Sequence, residues 1–133
     1  MPGYTTVSIN SGDTDGGAGV STNNNTSSHV VVGEISSIGV TYNGSPPAST
    51  DLVIATAGNN GPALTILTLT NANTSGWFHP RHVIDDETGA DITYDGTEEV
   101  YDKVCISDNI KVTIAQANSP DTAEVVVVYY AGR

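Results

Sequence analysis

The sequence predicts an all-β chain that folds as a single-domain β-sandwich, of jelly-roll or immunoglobulin-like form, with an extended N-terminal arm. Three observations predict this fold class. Thr, Ser, Asn, Gly and Val are abundant, whereas good helix formers are scarce. Short apolar runs are separated by turns rich in Gly, Asn and Pro, and no stretch carries the apolar stripe of a helix. With 133 residues, the chain has the length of one ordinary domain that can bury a core without cross-links.

The N-terminal segment is predicted to be an extended polar arm over residues 1–28, and the sandwich domain to cover residues 29–133. Between Asn10 and Ser28 only Ala18 and Val20 are apolar, and such a composition cannot order itself by burying surface. An arm of this kind becomes ordered where it lies against its own domain or against a neighbouring subunit. It is therefore a candidate contact region in a multi-chain assembly.

Strand candidates follow one another at short spacing through the sandwich domain. An interruption near Ser36 separates the first two, and a change of apolar parity between Ile66 and Leu67 fits either a β-bulge or burial on both faces. Pro80 cannot donate to a ladder, so the run around it is expected at an edge or a corner of a sheet. The candidates before the last two are His29 to Ile35, Ile38 to Tyr42, Asp51 to Ala57, Ala63 to Thr70, Ile92 to Tyr94 and Glu99 to Ile106.

The last two runs are predicted to form a hairpin. From Asn109 to Gln116, apolar residues that point inward alternate with Lys111 and Thr113. After a turn at residues 118–121, the run from Thr122 to Tyr130 is almost continuously apolar. Such a strand is buried on both faces or covers a partner.

Charge excludes several classes of partner. Fifteen acidic residues against four basic ones give a net charge of −11, which repels phosphate backbones and anionic lipids, so neither nucleic acid nor a membrane is expected as a partner. The single cysteine, Cys105, lies between Val104 and Ile106 and is predicted to be a buried, inert thiol. The first residues lack the basic start and apolar stretch of a secretory signal, which predicts a protein made in the cytoplasm.

Candidate chemical sites are weak throughout the sequence. His79 and His82 are expected on opposite faces of an extended segment, and zinc needs three or four convergent ligands. The acidic clusters around Asp13 and Asp85 favour solvated turns, with weak calcium binding as the alternative. No nucleophile elbow or phosphate loop occurs. The sequence therefore predicts no enzyme, no metal site and no cofactor.

The second half of the chain resembles a known family of virion proteins. The resemblance covers roughly residues 63–133 and rests on the run from Trp77 to Val83, the acidic turn with Gly89, Tyr101-Asp102-Lys103, the run from Ser107 to Val112, and the closing Val-rich strand. In this order the residues resemble small structural proteins of tailed bacteriophages, above all capsid decoration (cement) proteins. The resemblance implies a β-rich module, often trimeric, that sits on the outer capsid surface and binds the major capsid protein.

The resulting prediction is a structural virion protein that stabilises a phage capsid by bridging major capsid subunits. A tail, neck or head-fibre component is the alternative within virion proteins, and a carbohydrate-binding or adhesin module, with Trp77 as a stacking surface, is the alternative from another class. Two regions are predicted to contact the partner. Their residues are Tyr4, Thr5, Val7, Ile9 and Val20 in the arm, and Trp77, Phe78, His79, Arg81 and His82 around Pro80.

Overall fold

The computed structural model describes residues 3–131, and every regular element in that range is a β-strand. No helix in this range is long or apolar enough to cross a membrane. The strands in chain order are β1 (Gly3–Asn10), β2 (Ser21–Thr26), β3 (Val31–Asn43), β4 (Asp51–Thr56), β5 (Thr65–Leu69), β6 (Gly76–Phe78), β7 (Arg81–Val83), β8 (Tyr101–Lys103), β9 (Cys105–Asp108), β10 (Ile110–Ala117) and β11 (Thr122–Ala131).

Two antiparallel sheets form the sandwich. The first has the order β1-β11-β3-β6 and the second the order β2-β10-β4-β5. Strands pair in a nested way along the chain, because β1 pairs with β11, β2 with β10, β3 with β6, and β4 with β5. The all-β sandwich fold predicted from the sequence is confirmed.

The core lies between the two sheets and is built by strict alternation. In β10 the buried residues Ile110, Val112 and Ile114 are 0 % exposed, while Lys111 between them points outward. Because successive side chains of a strand point to opposite faces, one face of each central strand meets the facing sheet. The largest fully buried side chains include Ile35, Ile38, Val40, Leu52, Ile54, Val125 and Val127. Each such side chain contributes about 1.5–3 kcal/mol by leaving water.

The predicted terminal hairpin is wrong. β10 lies in the second sheet and β11 in the first, so the turn at residues 118–121 crosses from one sheet to the other. Both runs are apolar because each presents one face to the shared core, and this pattern is the same whether two strands pair or face each other. The sequence pattern therefore identifies the two strands but not their partners.

Two irregularities in the sequence pattern correspond to β-bulges. β3 is one strand of 13 residues, and Ser36 is the extra residue where the register with β11 shifts between Val128 and Tyr129. In β5 the extra residue is Ile66, because Ile54 lies opposite Leu67 whereas Ala55 lies opposite Thr65. The bulge alternative for the parity change is therefore confirmed, and the break near Ser36 is a bulge inside a continuous strand.

The boundary predicted at residue 28 does not separate an arm from a domain, because the segment before it supplies an edge strand to each sheet. β1 pairs with β11 over eight residues and β2 pairs with β10. The polar loop between them is held by hydrogen bonds, since the Thr14 hydroxyl donates to the Asn118 carbonyl at 2.9 Å and the Gly19 N–H donates to the Asn118 side chain at 2.8 Å. The segment becomes ordered by pairing its backbone with its own domain, which needs little apolar surface.

One edge of β3 is shared by two strands that are far apart in the chain. β6 pairs with Ile38 to Val40, and β9 pairs with Val31 to Glu34. The chain leaves this edge after Phe78 and returns at Val104, whose carbonyl accepts a hydrogen bond from the Ile35 N–H at 2.9 Å. We call residues 79–104, which include the β7–β8 pair, the excursion.

Candidate functional site

The predicted contact residues of the N-terminal segment lie mostly on an open sheet edge. Tyr4 is 63 % exposed and its ring packs against Tyr130 with centroids 5.4 Å apart. Thr5 is exposed, Val7 is half-buried, and Val20 is 68 % exposed in the loop after β1. The prediction for Ile9 is wrong, because Ile9 is 3 % exposed and packs in the core opposite Val125.

Within residues 3–131, the side of β1 that faces away from β11 presents backbone groups that pair with no other strand. The Ser11 N–H donates to the Ala123 carbonyl at 2.9 Å, and hydrogen-bonded pairs alternate along an antiparallel ladder. Odd-numbered residues of β1 therefore bond to β11, and Tyr4, Thr6 and Ser8 direct their N–H and C=O groups away from the sheet. Further along, the Asn10 carbonyl is covered by the Asn25 side chain at 2.9 Å. The open stretch has no charged residue and no proline, the two devices that block strand addition to an edge.

The second predicted contact region lies at the opposite edge of the same sheet, as the position of Pro80 predicts. β6 is the last strand in the order of the sheet, and Pro80 is buried where the chain leaves it. Phe78 is half-buried and packs against the core. His79 and His82 are exposed, and His82 lies opposite Asp102 in the β7–β8 pair. The predicted edge position of the run around Pro80 is confirmed, and the predicted contact with a partner stays a prediction.

Arg81 holds the start of the excursion against the bulge in β3. Its Nη1 atom donates to the Ser36 carbonyl at 3.3 Å and to the Pro80 carbonyl at 2.8 Å. Because Ser36 is the extra residue of the bulge, its backbone is out of register with β11 and its carbonyl needs another donor. Arg81 therefore has a structural contact in addition to an exposed surface.

Trp77 lies flat on the outer face of the first sheet. It is 61 % exposed and pairs with Gly39. An ideal Cβ atom placed on Gly39 would meet three neighbouring carbons of the indole at 2.9, 2.9 and 3.1 Å. Nearly equal distances to adjacent ring atoms require the ring to lie face-on above Gly39. A side chain at position 39 would therefore push the indole off the sheet, so the glycine makes this position of Trp77 possible.

Outer-face residues around Trp77 form two rows across the strands. Strand register places Val126, Gly39 and Trp77 in one row. The next row contains Glu124 opposite Thr41, and Ser75 beside them, whose hydroxyl accepts the Tyr42 N–H at 3.0 Å. The sequence alone does not reveal this row, because Thr41, Ser75 and Gly39 have the pattern of ordinary strand and turn residues, and only the strand register brings them together.

Gly39, Thr41, Ser75, Trp77 and Val126 border a shallow depression of ≈ 290 Å³. Trp77 and Val126 give it an apolar side, and Thr41 and Ser75 give it a hydroxyl-bearing side. A second depression, of ≈ 260 Å³, lies between the β4–β5 loop and β9. Its buried carboxylate, Asp108, is already satisfied by the N–H groups of Gly58 at 2.8 Å and Asn109 at 2.7 Å.

The excursion carries eight of the fifteen acidic residues. Its backbone closes on itself, because Ile84 donates to Val100 at 2.9 Å, Val100 to Ile92 at 3.1 Å, and Ile92 to Ile84 at 2.8 Å. Asp86 and Asp95 accept backbone N–H groups of their own turns, which lowers the pKa of both carboxyls, with the Thr88 hydroxyl as the first cause at Asp86 and the Glu98 N–H at Asp95. Over residues 3–131, no group of three or more His, Cys, Asp or Glu side chains is placed to hold a metal ion. Asp86 and Asp95 therefore serve as turn formers in a highly charged surface.

The prediction of a buried Cys105 is wrong. Cys105 is exposed, whereas Val104 and Ile106 on either side of it are 2 % and 7 % exposed. Successive side chains of a strand point to opposite faces, so Cys105 points away from the face on which Val104 and Ile106 are buried. The alternation is not visible in the sequence, because all three residues are apolar. Partial burial, and then the nearby carboxylate of Glu34, raise the pKa of the Cys105 thiol. A raised pKa favours the protonated thiol, which is the less reactive form.

The fold and these surfaces define a class: an all-β protein made of two packed antiparallel sheets, with an exposed tryptophan on one outer face and an acidic excursion at the edge of that sheet. No family model matches the chain, and comparison with curated proteins and with solved structures finds no significant match.

Proposed function

We propose that the chain is a structural virion protein that binds the outer surface of a phage capsid and stabilises it by bridging major capsid subunits. The observation that carries the proposal is the free β1 edge. It offers Tyr4, Thr6 and Ser8 for pairing with an extended segment of the major capsid protein, and it has no charge or proline to prevent this.

The strand order supports the jelly-roll form of the sandwich over the immunoglobulin-like form. A jelly roll with two Greek keys produces nested pairing, as seen here for β1 with β11, β2 with β10, β3 with β6 and β4 with β5. An immunoglobulin sheet instead contains the order ABED. Jelly rolls occur in viral capsid proteins and also in lectins, so the fold alone does not decide the function. It is consistent with the resemblance of residues 63–133 to decoration proteins.

Charge supports a place on the outside of the particle. A net charge of −11 opposes contact with packaged DNA. The β1 edge is a suitable place for attachment because it lies at the edge opposite the acidic excursion. We include a homotrimer in the proposal, since three linked edges bind a lattice more tightly than one through their high effective concentration.

A binding experiment with matched variants tests the proposal. Purified chain is mixed with capsids of the encoding phage that lack it, and co-sedimentation and the temperature of DNA release are measured. Saturable binding with a higher release temperature is expected. The Thr6→Pro variant removes one outward N–H without disturbing the ladder to β11 and should lose binding, whereas Thr6→Ala keeps that N–H and should bind normally.

Two results would count against the proposal. Capsids that neither bind the chain at micromolar concentration nor gain thermal resistance would exclude the decoration function. Equal binding by Thr6→Pro and Thr6→Ala, with both variants folded by circular dichroism, would exclude the β1 edge as the attachment site.

A further inference from the structure

We propose that Trp77 and the polar row beside it form a binding site for a neutral saccharide. The site lies on the outer face of the first sheet, and it goes beyond attachment to a capsid. It gives the chain a second surface, directed at sugars.

The indole of Trp77 provides a rigid stacking platform. One ring face is covered by Gly39 and the opposite face is open to solvent, with the side chain 61 % exposed. The sheet supports the indole from below at Gly39, and Val126 lies in the same row and lines the same depression. Stacking an apolar ring face on this surface removes apolar area from water without a need to order the protein first.

Hydrogen-bonding groups of Thr41 and Ser75 border the same depression as the indole. Rows two residues apart along a strand are separated by about 6.6 Å. The row of Thr41 and Ser75 is therefore the next row to that of Trp77 on the same face. The Ser75 oxygen already accepts the Tyr42 N–H at 3.0 Å, which leaves its own O–H free to donate. Thr41 is exposed and offers both a donor and an acceptor.

The combination of a flat apolar platform and a hydroxyl-bearing border fits a saccharide better than other ligands. A sugar has an apolar C–H face and a polar periphery, which match the two sides of the depression. A nucleotide or an anionic sugar would be repelled by the net charge of −11 and by Glu124, which lies opposite Thr41. A purely apolar ligand would require walls that enclose it, and this depression is shallow.

The site is separate from the proposed attachment edge. Trp77 is on β6 and the free edge is on β1, at opposite sides of a four-strand order. Three strand spacings separate them by about 14 Å. Sugar binding and capsid binding should therefore respond to different substitutions.

Intrinsic fluorescence provides a direct test, because Trp77 is the single tryptophan of the chain. The full chain is titrated with glucose, galactose, mannose, N-acetylglucosamine and neutral oligosaccharides built from them, and with sialyllactose as an anionic comparison. We expect a saturable change in emission with at least one neutral probe, and weaker binding of the anionic one.

Variants measured by calorimetry assign the binding to the site. Trp77→Ala should weaken binding about ten-fold or more, in line with the effect of removing an aromatic stacking partner. Thr41→Val removes the hydroxyl at constant shape and should weaken it about three-fold or more. Tyr94→Ala removes an aromatic side chain that is 72 % exposed on the excursion, and it should leave binding unchanged.

Three results would overturn the inference. The first is that no saccharide at concentrations up to about 10 mM changes the emission of Trp77. The second is that binding persists in Trp77→Ala. The third is that Trp77→Ala abolishes capsid binding while no sugar binds, which would make the indole a protein contact. Because Thr6→Pro should keep sugar binding, and Thr41→Val should weaken sugar binding but keep capsid binding, failure of one proposal is distinguishable from failure of the other.

Discussion

Two neighbouring valines on β11 allow a direct test of which face of the first sheet is covered. Val127 is 0 % exposed and faces the core, whereas Val126 is half-buried on the outer face beside Trp77. Val127→Ala removes two methyl groups from the core. Their transfer is worth about 1.6 kcal/mol, and the cavity that remains raises the loss to about 2–3 kcal/mol. Val126→Ala should cost less than about 1 kcal/mol, because solvent or a side-chain shift can fill the space.

Thermal and urea unfolding followed by circular dichroism measure this difference. For a chain of this length, the loss at Val127 corresponds to a fall in Tm of about 6–12 °C, and the loss at Val126 to less than about 4 °C. Measurements at two protein concentrations a hundred-fold apart separate folding from assembly. Equal losses for both variants, together with a Tm that rises with concentration, would show that a second chain covers the outer face and would refute the free surface on which the saccharide site depends.

Four further outcomes follow from single features of the structure. The buried Tyr42 hydroxyl has no hydrogen-bond partner within residues 3–131, so Tyr42→Phe should leave unfolding free energy unchanged or raise it by up to about 1 kcal/mol in urea titration. Cys105 should react with a disulfide reagent more slowly than free cysteine at pH 8, and Glu34→Gln should speed the reaction by lowering the raised thiol pKa; no change would exclude the carboxylate as a cause. Burial opposes ionisation of Asp108, but hydrogen bonds from backbone N–H groups outweigh it and hold the pKa of this carboxyl below the usual range. The ionised carboxylate therefore stabilises the fold above about pH 4, and this stabilisation is lost as the pH falls through the lowered pKa. The acid unfolding curve of Asp108→Asn should lack this contribution. Replacing residues 82–103 with a short Gly-Ser turn, which keeps Arg81 and the core residue Val104, should leave the sandwich folded with a similar Tm, and an unfolded product would show that the removed part of the excursion stabilises the sheet.

The strands of the core were predictable because their physical signal is local. Alternation in β10 identifies Ile110, Val112 and Ile114 as inward residues, and the structure agrees. Pairing was not predictable in the same way, since β10 and β11 have the pattern of a hairpin but lie in different sheets. A strand that faces the core needs apolar residues on that face, whichever strand it is hydrogen-bonded to. The apolar pattern therefore does not identify the pairing partner.

The N-terminal segment shows a second limit of composition. A stretch such as Ser21–Thr26 has almost no apolar surface and is predicted to be unstructured alone, yet it forms an edge strand. Its order comes from backbone hydrogen bonds to β10 and from hydroxyl contacts such as the Thr22 side chain donating to the Ile114 carbonyl at 2.8 Å. Such contacts depend on a partner distant in the chain, and composition does not record them.

The candidate sites were predictable only in part. Pro80 correctly indicates an edge, and Trp77 is conspicuous as the single tryptophan. The role of Gly39 could not be recognised, because a glycine between two buried residues of a strand has many explanations. Only the register between β3 and β6 shows that its missing side chain makes room for the indole.

The edge of β3 is paired first by β6 and then by β9, and the gap between these two strands determines where the chain tolerates inserted sequence. The chain leaves the edge at Phe78 and rejoins it at Val104, and the pairing of Arg81 with Lys103 closes the base of the excursion. New sequence inserted at this point lengthens a loop whose ends are already fixed, and the entropic cost of such lengthening grows only slowly. This edge is thus a site where peptide can be inserted or exchanged, in evolution or by design, while the sandwich continues to fold as before.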